Sequence, residues 1–183
     1  MIRGRCGRRK VVTYATPVPA LFGRNAPMPP TPPTIRSGPV TVTFRWIGDR
    51  WAHEVDVRGL GEWRSVEGPR ADGDDRWPAA PVLVELASLE TPHGLAILGV
   101  GLAGRSHFSA SIGPTPGQGG EVRFEIACRA VEPPVWLGST YDHAAGEVVM
   151  RPTAGPPPKL PATVQWAYSF GATGLAPCDG TGN

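Results

Sequence analysis

Histidine changes charge nearest neutral pH, so the four histidines are the first places to look for acid–base chemistry. His53 sits in the alternation Trp51, His53, Val55, Val57, which reads as the inward face of a strand. On such a face it is either a satisfied core residue or the polar group of an internal pocket. His107 alternates with Ser109 and Ser111 on the polar face of another strand. As a general base it would need a nucleophile and an orienting carboxylate, and neither is specified by the sequence. His53 and His107 are the two candidate catalytic residues. His93 and His143 fall in turns, where solvation is expected.

Gly138-Ser139-Thr140-Tyr141-Asp142-His143 gathers hydroxyls, a carboxylate and an imidazole. It lacks the glycines on both sides of a serine and the strand–turn–helix setting of a nucleophile elbow, so a Ser/Thr-rich turn is expected. Ser139 and Tyr141 are retained as candidate binding residues. Gly99-Val100-Gly101-Leu102-Ala103-Gly104 spells a dinucleotide fingerprint. That motif works only where a helix opens at the third glycine and holds the pyrophosphate at its N-terminus. Here a strand-like alternation follows and stops at Gly113-Pro114, so no cofactor is expected. Asp72-Gly73-Asp74-Asp75 lacks the spaced ligands and closing glutamate of a Ca²⁺ loop. Cys6, Cys128 and Cys178 form no zinc spacing and no paired framework, and no metal is expected. Cys128 shares a face with Phe124 and Ile126 and reads as inert packing.

Of six tryptophans, Trp46 and Trp51 should face a core by parity. Trp63, Trp77 and Trp136 fall in segments that read as loops. Such rings either cap a core or offer a stacking surface to a ligand, and these three are the main candidate binding residues.

Charge divides the chain. Residues 1–37 carry +7, residues 38–150 carry −6 and residues 151–183 carry +1, for a net +2. The acidic middle is a poor match for a phosphate backbone, so no specific nucleic-acid binding is expected. Arg outnumbers Lys 16 to 2, the usage of a GC-rich genome rather than a nucleic-acid signature. Gly7-Arg8-Arg9-Lys10 resembles the basic start of an export signal, but Pro17 and Pro19 break the apolar stretch behind it. Met28 offers an alternative start. With scattered cysteines and no apolar run of membrane-spanning length, a cytoplasmic protein without a membrane span is expected.

These residues must be positioned by strands. Period-two alternation marks Val40–Trp46, Trp51–Arg58, Ser106–Ile112 and Val122–Arg129. Further strands are expected at 82–89, 95–102 and 147–150, with a short one near 62–66. The strand at 95–102 is apolar on both faces, which predicts cover on both sides by a second sheet, a barrel interior or a homodimer contact. Pro-rich stretches set off a 1–37 head, read as disordered, and a 151–183 tail with an edge strand at 163–170. The expected fold is all-β: an antiparallel β-sandwich or small β-barrel of 6–8 strands, over 38–150, with irregular Pro-rich termini. The functional expectation is a non-catalytic module that binds a protein or small-molecule ligand through loop aromatics. The alternative is a small hydrolase or isomerase built around His53 or His107.

Overall fold

The computed structural model describes residues 32–69, 77–155, 157 and 159–178. The basic segment up to residue 31, with Cys6 and Met28, and the Asp72–Asp75 cluster lie outside the described residues.

The alternating segments pair into two six-stranded antiparallel sheets. The first holds, in spatial order, β1 (Thr34–Ser37), β2 (Val40–Trp46), β3 (Trp51–Val57), β4 (Gly61–Ser65), β9 (Ser139–His143) and β10 (Gly146–Met150). The second runs β12 (Gly174–Cys178), β11 (Ala162–Gly171), β8 (Val122–Ala130), β7 (Ser106–Pro114), β6 (Gly94–Ala103) and β5 (Glu85–Thr91). The two pack against each other as a β-sandwich, without helix among the described residues.

Register is fixed by which residues must face inward. Val42 pairs with Val55 and Phe44 with His53 across β2 and β3. On the facing sheet Phe124 pairs with Tyr168, and Ile126 with Trp166. The inner rows meet through aromatic edges. Tyr141 and Trp63 of the first sheet meet Phe170 of the second at 5.3 and 5.6 Å between centroids, both in edge-on geometry. Such pairs add about 0.5–1.5 kcal/mol each beyond the area they bury.

The chain crosses from the first sheet to the second through a buried plug. Trp77, Ala79, Ala80, Val82 and Leu83 are all at most 5% exposed. Trp51 N–H donates to the Leu83 carbonyl at 2.7 Å, and Val84 N–H donates to the Val100 carbonyl at 2.7 Å. The plug thus joins β3 to β6, and the strand expected from residue 82 begins only at Glu85. It also accounts for the fingerprint-like glycines. A Cβ on Gly101 would lie 2.2 Å from the Val82 carbonyl oxygen, and one on Gly99 would lie 3.0 Å from a Leu83 methyl. Gly101 is bare because the plug's backbone lies on it, and Gly99 because leucine side chains do.

Several expectations change. β11 is an inner strand between β8 and β12, not an edge, and carries Trp166, Tyr168 and Phe170 into the core. Residues 34–37 and 174–178 pair as strands where irregular ends were expected. Residues 139–143 form β9 rather than a turn: Ser139, Thr140 and Tyr141 are all buried, and Ser139 and Tyr141 face the opposite sheet. Trp46 is 37% exposed, since β2 runs past the end of the core there and the ring packs edge-on against Trp51. Finally, only one face of β6 is covered. Ile97 and Ala103 face the core, while Leu98, Val100 and Leu102 face outward at 44%, 49% and 54% exposure.

Candidate functional site

Two arrangements could carry function: a polar chain inside the sandwich, and an open apolar face outside it. The inner one begins at His53, which alternation along β3 turns into the core. Its Nε2 lies 2.7 Å from Tyr141 Oη, and Tyr141 Oη lies 2.8 Å from Tyr168 Oη. Ser139 Oγ hydrogen-bonds Tyr168 and accepts from Trp166 Nε1 at 3.0 Å. The chain therefore spans both sheets, from β3 through β9 to β11.

The imidazole is ringed by Phe44, Phe124 and Tyr141, with centroids at 5.8, 5.4 and 5.4 Å. Burial in that apolar cage pushes its pKa down to about 4, so it is neutral at pH 7. Nδ1 is buried without a partner. A bare acceptor nitrogen is less costly to bury than an orphan N–H, which assigns the proton to Nε2 as donor to Tyr141. Tyr141 then donates onward to Tyr168. Burial likewise raises both phenols, so neither ionises near neutrality. This is a buried hydrogen-bond chain with no charged member, satisfied except at His53 Nδ1.

Beside it stands Glu67, which the sequence reading did not single out. Ser65 Oγ donates to Glu67 Oε1 at 2.6 Å and accepts from His53 N–H at 2.9 Å. Glu67 Oε2 is buried without a partner. Burial pushes this carboxyl up to about 7, against the pull of Ser65 and the nearby Arg50 guanidinium. Arg50 is itself engaged by Asp49 at 2.7 Å.

The candidate tryptophans do not form a common surface. Trp63 lies on β4 at 6% exposure, stacked on His143 at 4.2 Å. Trp77 is 1% exposed within the plug, edge-on to Phe108. Trp136 is half-buried. Its Nε1 donates to the Ala79 carbonyl at 3.1 Å, and the Arg151 guanidinium covers its ring at 4.1 Å. Ser139 and Tyr141 lie inside, in the polar chain. Cys128 is fully buried, and burial pushes its thiol up to about 11. Among the described residues no cluster of three His, Cys, Asp or Glu side chains gathers around a common point. No helix of the described residues is long and apolar enough to cross a membrane.

The outer arrangement is the solvent face of the second sheet. Cross-strand register lays it out in rows: Glu85, Val100, Ser109, Ala127 and Gln165 across the middle, flanked by Ala87, Leu98, Ser111, Glu125 and Ala167. A third row holds Leu102, His107, Arg129 and Thr163. Leu98, Val100 and Leu102 form a ridge along β6. Ser109, Ser111, Ala127 and Ala167 are small and leave a trough beside it. Two open grooves of about 740 and 560 Å³ share Val100, Ser109 and Ala127. His107 lines the second of these with Glu85, and no hydrogen bond joins the two among the described residues. The sequence signal for this face was the apolar character of both sides of β6, one side more than a solvated sheet needs. Compared with family models, curated proteins and solved structures, the chain matches none of them.

Proposed function

We propose that this protein is a non-catalytic interaction domain that works through the outer face of its second sheet. The observation that carries the reading is the exposed ridge Leu98, Val100 and Leu102, set beside a trough of small side chains. Single exposed apolar residues are ordinary, but a contiguous row on a flat sheet marks a contact surface. The polar chain around His53 supports a structural role for that histidine, since its bonding nitrogen is taken and its neighbours are uncharged. Loop tryptophans contribute little to this reading, because Trp63 and Trp77 are buried.

The test is site-specific photo-crosslinking in the native cell. A photoreactive residue at position 100 should give discrete protein adducts, while one at Asp56, on the outer face of the first sheet, should not. Absence of adducts from position 100, or equal adducts from both positions, would overturn the proposal.

A further inference from the structure

We infer that the partner on this face is a second copy of the same chain, related by a two-fold axis running along β7. The inference rests on the reading of the outer face given above and adds the identity of what covers it.

Three features of the face point to self-association. The first is shape. In a two-fold dimer one patch must be complementary to itself, so it needs both a projection and a recess for it. Here the β6 ridge is the projection, and Ala127 of β8, between the long side chains of Glu125 and Arg129, is the recess for its middle residue. An axis along β7 reverses strand order and keeps the rows in place. It lays β6 of each copy over β8 of the other, with Val100 over Ala127, Leu98 over the stem of Glu125 and Leu102 over the stem of Arg129. Glu85 then faces the amide of Gln165, a neutral partner it can hydrogen-bond.

The second feature is charge. Residues 38–150 carry −6, so two copies repel through most of their surfaces. The outer face instead balances Glu85 and Glu125 against Arg123 and Arg129, and Arg123 is bonded to Glu125 at 3.0 Å. It is a surface on which two acidic domains can meet without like charges opposed.

The third feature is size. Five strands of 7 to 10 residues, at about 3.3 Å rise and about 4.8 Å spacing, give a footprint of about 700 Å², close to the ~800 Å² per partner of a standard stable interface.

Sedimentation velocity of the full chain over a concentration series tests the inference. The wild type should sediment at twice the chain mass. Val100→Arg on the ridge and Ser109→Arg on the axis should each sediment as folded monomers with unchanged circular dichroism. A wild type that stays monomeric to its solubility limit overturns the inference, as does a dimer that survives both substitutions. If both variants fail to fold, the purified wild-type sequence with a photoreactive residue at position 100 decides: chain-to-chain adducts support the dimer and their absence overturns it. A monomeric wild type whose position 100 crosslinks to a different protein in cells removes the second copy but leaves the docking face. A monomer without any such adduct removes both.

Discussion

Tyr141 Oη stands 2.7 Å from His53 Nε2 and 2.8 Å from Tyr168 Oη, joining the two sheets through one buried hydroxyl. Removing it leaves the buried His53 Nε2 unpaired and takes from Tyr168 one of its two partners, Ser139 remaining as the other. Tyr141→Phe is therefore expected to cost more than an ordinary hydrogen bond, about 2–3 kcal/mol. Trimming an exposed hydroxyl such as that of Thr173, in the turn between β11 and β12, should cost almost nothing. Urea unfolding followed by tryptophan fluorescence measures both, and equal midpoints for the two variants would contradict the assignment.

The neighbouring Glu67 and His53 give opposing pH dependences. The fold keeps His53 neutral down to about pH 4, whereas the unfolded chain protonates it near 6.5, so this group loses stability as pH falls between those values. The fold keeps Glu67 protonated up to about pH 7, whereas the unfolded chain releases that proton near 4.5, so this group loses stability as pH rises between those values. Each contribution is at most about 3 kcal/mol. Between pH 4.5 and 6.5 they offset each other, and the wild type should show little net slope from this pair. Glu67→Gln should expose the His53 slope, with stability falling on acidification below pH 6.5. Melting temperatures at half-unit pH steps check this; a variant as flat as the wild type would remove the pairing.

The plug gives a graded glycine series. Gly101→Ala drives a Cβ into the Val82 carbonyl, a backbone atom that cannot rotate away. A loss of about 2–3 kcal/mol or more is expected, as for an overpacked core. Gly99→Ala meets only the movable ends of Leu83 and Leu86 and should cost less. Gly119→Ala has open space and should be near neutral. Calorimetric melting of the three should return that order.

Cys128 should behave as packing. Its burial and raised thiol predict no labelling by a thiol reagent at pH 8 in the native protein and full labelling in denaturant. The half-exposed Cys178 should react while the protein is still folded. Peptide mass mapping separates the two, and early modification of Cys128 would contradict its placement.

The strands that alternate cleanly were legible from sequence, because each has one face in a core made by the other sheet. β9 was not, since its buried residues are Ser139, Thr140 and Tyr141, whose polarity mimics a turn until the opposite sheet supplies partners for Ser139 and Tyr141. β1 and β12 are short edge strands beside prolines, and their pairing depends on neighbours distant in sequence. The inward side of His53 was readable from parity, but its Tyr141 partner, 88 residues away, was not. Glu67 escaped notice because an acid in a Gly/Pro-rich loop looks solvated until the fold closes over it. The apolar strand β6 was seen, but its periodicity cannot say that one face stays open within the chain.

On the proposed reading, the outer face of the second sheet is covered when the protein is at work. Hydroxyl-radical footprinting, in intact native cells and on dilute purified protein, tests it most directly. Leu98, Val100 and Leu102 should be oxidised in dilute solution and protected in cells, while the exposed Arg45 and Trp46 at the end of β2 in the first sheet should be oxidised equally in both. Equal oxidation of the Leu98–Leu102 ridge in the two settings would contradict it.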